Sequence, residues 1–87
     1  MTGVLTALEY ANKDYYSNPF ESPKRATILH PITIGDCLVI SYQSCEDPND
    51  IWYSSKVRGF RAIDGTNKIC IRTNDAVYLF EHDVVPV

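Results

Sequence analysis

Ile32-Thr33-Ile34-Gly35-Asp36-Cys37-Leu38-Val39-Ile40-Ser41-Tyr42 is the stretch around which the rest of the chain is organised. Gly35 and Asp36 are turn formers. After them Leu38, Ile40 and Tyr42 alternate with Cys37, Val39 and Ser41. This period of two predicts a strand, because successive strand side chains point to opposite faces. Apolar residues fall on both faces, so much of each side is expected to be covered.

Downstream, every segment reads as a strand added to this one. Residues 43–50 form a polar loop with Pro48 and three acids, Glu46, Asp47 and Asp50. Ile51 to Phe60 is a second strand, long enough to bend, with Gly59 as the expected bend or bulge. Asp64-Gly65 is a hairpin turn signal. Lys68 to Arg72 is a third strand and Ala76 to Phe80 a fourth. Asn74-Asp75 between them suits a tight turn, since both residues tolerate the left-handed region. Glu81-His82-Asp83 is expected to form one helical turn, and Val84 to Val87 a short fifth strand. Pro86 fits an edge there because it cannot donate to a neighbouring strand.

Upstream, Val4, Leu8, Ala11 and Tyr15 recur at helical spacing and predict an N-terminal α-helix over residues 2–16. Thr2 is its candidate cap. So short a helix is marginal alone, so its stripe should dock on the barrel, on a partner or on a second copy, the last giving a homo-oligomer. Pro19 and Pro23 end the pattern, and residues 17–31 read as an irregular connector. Phe20 is expected to pack beneath it. The expected organisation is thus a helix and connector over 1–31 and a barrel over 32–87.

Eighty-seven residues suffice for one small core. A 45% hydrophobic and 22% charged composition is that of an ordinary globular chain. The net charge of −3 argues against a dedicated nucleic-acid binder, which usually carries a basic excess. Yet Lys56, Arg58, Arg61, Lys68 and Arg72 fall within seventeen residues, so a local basic face is the alternative. Met1-Thr2-Gly3 opens neither a basic n-region nor an apolar run, and no stretch is long enough to span a bilayer. With three cysteines and no C-x-x-C pair, the expectation is a cytoplasmic or nuclear chain with reduced thiols, without membrane contact.

Three segments together carry a resemblance: Ile34-Gly35-Asp36-Cys37-Leu38-Val39-Ile40, Trp52-Tyr53-Ser54-Ser55-Lys56-Val57 and His82-Asp83-Val84-Val85-Pro86. They resemble the Tudor-like branch of the SH3-like barrels, and the retroviral integrase C-terminal domain shares the outline. The resemblance implies a mainly β fold: a five-stranded, SH3-like (Tudor-like) antiparallel barrel, here with the added N-terminal α-helix. Some Tudor-like barrels hold methylated side chains in an aromatic cage at one rim. By resemblance, that rim would combine Tyr42, Trp52, Asn74 and Asp75, with Tyr53 pointing inward. Only two of these four are aromatic. Core capping by Tyr42 and Trp52 is the competing reading.

No pattern for catalysis is present. Cys37, Cys45, Cys70, His30 and His82 have no zinc-ligand spacing, and nothing local brings Cys45 to His82. Cys37 and Cys70 lie in predicted strands, where a thiol is usually a small buried hydrophobe. No cofactor is expected. The sequence points to a non-enzymatic module recognising another protein, through Tyr42, Trp52, Asn74, Asp75 and the acidic Glu46, Asp47 and Asp50. In size and charge it is similar to small viral or phage adaptors and inhibitors that block a host protein. The alternative is a nucleic-acid-associated barrel binding through Lys56, Arg58, Arg61, Lys68 and Arg72, with Trp52 or Phe60 stacking a base.

Overall fold

Alternating side chains and tight turns bring six strands into a closed antiparallel barrel, in the order of the sequence. The computed structural model describes residues 1–10, 18–44 and 50–84. The strands are β1 (Thr2–Tyr10), β2 (Lys24–Ile28), β3 (Cys37–Tyr42), β4 (Asp50–Ala62), β5 (Lys68–Thr73) and β6 (Ala76–His82). Gly35 and Gly65 adopt positive φ in the turns that precede β3 and join β4 to β5. Closure comes from β1, which pairs with β2 along its first residues and with β6 along most of its length. β4 does the same on the opposite side. Its first half pairs with β3 and its second half with β5, with a register shift between Val57 and Gly59 where it changes neighbours.

Inward positions alternate along every strand, and the core is built from Leu5, Ala26, Ile28, Leu38, Ile40, Val57, Ile71, Tyr78 and Phe80. Each large side chain buried in this way contributes about 1.5–3 kcal/mol. Gly3 is needed at the β1–β6 seam. A Cβ there would lie 2.1 Å from the Glu81 carbonyl oxygen, in backbone that cannot swing away.

Several expectations are corrected. Among the described residues there are six strands, not five, and no helix. The residues expected to begin the N-terminal helix form β1. Leu5 and Ala7 are buried and Leu8 is exposed, the reverse of the helical stripe. Gly3 disfavours a helix, Thr2, Val4 and Thr6 favour a strand, and pairing with β6 decides the outcome. Ala11 and Tyr15 lie outside the described residues. Within the expected connector, Lys24–Ile28 is β2, held by Ala26 and Ile28 facing the core. Glu81 and His82 are not a helical turn but the end of β6, paired with Val4 and Gly3. Val84 is outside any strand, and the rest of the expected fifth strand lies outside the described residues.

Candidate functional site

Trp52 lies opposite Ile40 in the β3–β4 register and so faces the interior. It meets Phe20 edge-on at 5.3 Å and Tyr78 at 6.0 Å, while Tyr42 meets Phe20 at 5.1 Å. Edge-to-face packing of this kind adds to the burial of the rings. Asn18 holds the cluster's centre. It is buried, its Nδ2 donates to the Tyr78 hydroxyl at 2.8 Å, and its Oδ1 accepts from the Phe20 amide at 2.8 Å. Phe20 is fully buried. Tyr42 and Trp52 are therefore each packed edge-to-face with Phe20.

The other rim positions are not beside Tyr42. Asn74 and Asp75 form the β5–β6 turn and are tied to β4 through Asn74 N to Lys56 O at 3.1 Å and Asp75 N to Ser55 Oγ at 3.2 Å. Tyr42 pairs with Asp50 at the other end of that half of β4. Asp50 and Ser55 are five strand steps apart, about 17 Å. The Asn74 side chain accepts a hydrogen bond from Arg58 Nε, bracing the bulge in β4. Glu46 and Asp47 lie outside the described residues.

What the barrel does assemble is an exposed apolar face. On β2, β3 and the first half of β4, the register places Tyr53 opposite Val39, and Leu29 N donates to Val39 O at 2.9 Å. The next row runs Thr2, Thr27, Ser41, Ile51, and the Thr2 and Thr27 hydroxyls lie 2.9 Å apart. Tyr53 is 65% exposed, Leu29 45% and Ile51 44%. Neither row contains a charged side chain. Tyr53 was expected to point inward, but Trp52 takes that position and the two neighbours must alternate. Cys37 is likewise exposed on this outer face beside Lys56, and Cys70 is half-buried on the outer face of β5, rather than in the core.

The basic residues divide between two faces. Lys56 points outward opposite Cys37 on the first face. Arg61 lies opposite Cys70, Arg72 opposite Gly59, and Lys68 opposite Glu81, all on the outer face of β5 and its neighbours. Among the described residues, the carboxylate–cation pair within ion-pair distance is Arg25 with Asp83, a two-pronged contact at 2.8 and 2.6 Å. Arg25's hydrogen bonds hold the Asp83 carboxyl below the usual carboxylate range.

Sequence reasoning missed Leu29, Val39, Ile51 and Asn18. A period of two puts Ile51 and Tyr53 on one face, but the side on which that face lies depends on the register with β3. Compared with known proteins, the chain matches no family model, no curated protein and no solved structure.

Proposed function

We propose that this chain is a non-enzymatic binding module for another protein, engaged through the outer face of β2, β3 and the first half of β4. The observation that carries the reading is the contiguous exposure of Leu29, Ile51 and Tyr53 around half-buried Val39. Large apolar side chains scattered singly on a surface need no explanation, but a rimmed patch of them marks an interaction site. An exposed tyrosine within it suits an interface anchor, with a large ring and few torsions to immobilise. Because the two rows are uncharged, the partner is expected to present an apolar, uncharged surface, with Lys56 and Arg25 at the margin.

The resemblance to Tudor-like barrels agrees with a recognition role, and the small acidic character with an adaptor or inhibitor. The mode proposed is nevertheless a sheet face and not a ring cage, since Tyr42 and Trp52 pack against Phe20.

The test compares wild type, Ile51→Asp/Tyr53→Asp and Arg61→Glu/Arg72→Glu as bait in nuclease-treated lysate. The same protein species should be retained by wild type and the arginine variant and lost by the Ile51/Tyr53 variant. Retention by all three, or loss only with the arginine variant, overturns the reading. Light scattering on the purified chain covers the remaining occupant: a dimer abolished by the Ile51/Tyr53 substitutions would make a second copy the partner.

A further inference from the structure

The second half of β4 and β5 form a hairpin whose outer surface differs from the apolar face. It holds a shallow concavity of about 440 Å³ lined by Gly59, Phe60, Arg61, Ile63, Cys70 and Arg72. Arg61 and Arg72 occupy diagonal positions across the two strands, about 7–8 Å apart. Their immediate cross-strand neighbours are uncharged: Cys70 beside Arg61, and Gly59 and Val77 beside Arg72. Neither guanidinium has a carboxylate within ion-pair distance among the described residues. Gly59 adds no side chain between them, and a Cβ there would meet nothing within 4 Å, so its backbone stays open to an incoming group.

We propose that this concavity binds a nucleotide through its phosphate, held between Arg61 and Arg72. Two arginines at diagonal positions on one face can both reach a phosphate lying between them, which accepts paired hydrogen bonds from each fork. The volume is within the range of small-molecule sites. Ile63, 38% exposed at the end of this face, supplies apolar surface for the sugar or base. The neighbouring strands limit the ligand's extent. Glu81 lies opposite Lys68, and Glu9 stands across Val77 from Arg72, so a polyanion crossing towards β6 and β1 would meet carboxylates. One phosphate, free or at the end of a single strand, fits best.

Amide NMR of the wild-type protein tests this with deoxyadenylate, a short 5′-phosphorylated oligothymidylate, and deoxyadenosine as the control lacking phosphate. The expected result is shifts confined to residues 59–63 and 70–72 with one or both phosphates and absent with deoxyadenosine. The tighter of the two identifies the source. Arg61→Gln and Arg72→Gln should each weaken binding at least about tenfold, since each removes charge-assisted hydrogen bonds. Lys56→Gln, on the other face, should not. Both arginines are exposed, so the variants should keep the wild-type spectrum elsewhere. The proposal is overturned by an absence of shifts at the hairpin with either phosphate, by equal shifts with deoxyadenosine, or by affinity unchanged in both arginine variants.

Discussion

The two halves of β4 follow the same alternation and present opposite chemistry. Before the bulge, Ile51 and Tyr53 point outward beside Val39 and make an uncharged apolar surface. After it, Gly59 and Arg61 point outward beside Arg72 and Cys70 and make a basic one. The extra residue between Val57 and Gly59 turns the strand from its pairing with β3 to its pairing with β5, and Asn74 braces it through Arg58. A bulge thus lets one strand serve two surfaces while Val57 stays in the core between them. The lesson is that exposure along a strand is decided by its neighbours as much as by its own pattern.

The largest effect should come from Phe20→Ala, which empties the centre of the ring cluster beneath the apolar face. A loss of about 3–5 kcal/mol is expected in urea unfolding, close to the whole stability of so small a domain. Gly3→Val should follow, since its side chain collides with the Glu81 backbone, and a cost of about 3 kcal/mol or more is expected at the seam. Tyr53→Ser should change stability by less than about 1 kcal/mol while weakening partner binding, because the ring is already mostly in water. If Tyr53→Ser unfolded the chain as Phe20→Ala does, the division between buried and presented rings would be wrong.

The smallest effect belongs to the exposed Arg25–Asp83 pair. Asp83 titrates lower in the folded chain than in the unfolded one, so its contribution is present above about pH 4, the ordinary aspartate range. It is lost as pH falls through the lowered folded value. Melting curves of wild type and Asp83→Asn should therefore differ slightly at neutral pH and converge in acid. A gap that widened in acid would contradict that sign.

The succession β3 to β6 was legible because its determinants are local: Gly35-Asp36, Asp64-Gly65 and Asn74-Asp75 mark the turns, and Gly59 marks the bulge. β1 and β2 were not legible, since what makes residues 2–10 a strand is β6, some seventy residues away. Val4 and Leu8 fell at helical spacing by coincidence, and Leu5, the fully buried residue, lay off that stripe. Aromatic content around Trp52 was visible, but its direction was not. Trp52 and Tyr53 are adjacent, so a shift of one residue in register exchanges the core ring for the presented one. Asn18 gave no signal at all, because a polar residue before proline reads as a turn until Tyr78 and Phe20 are seen around it.

The most direct measurement places a photo-crosslinking phenylalanine analogue at Tyr53 and, separately, at Phe60, two exposed rings on different halves of β4. In lysate, position 53 should crosslink to one protein species, the crosslink should disappear with Ile51→Asp, and position 60 should not capture that species. Equal capture of the same protein from both positions, or capture from 60 alone, would contradict the assignment of the apolar face as the protein interface.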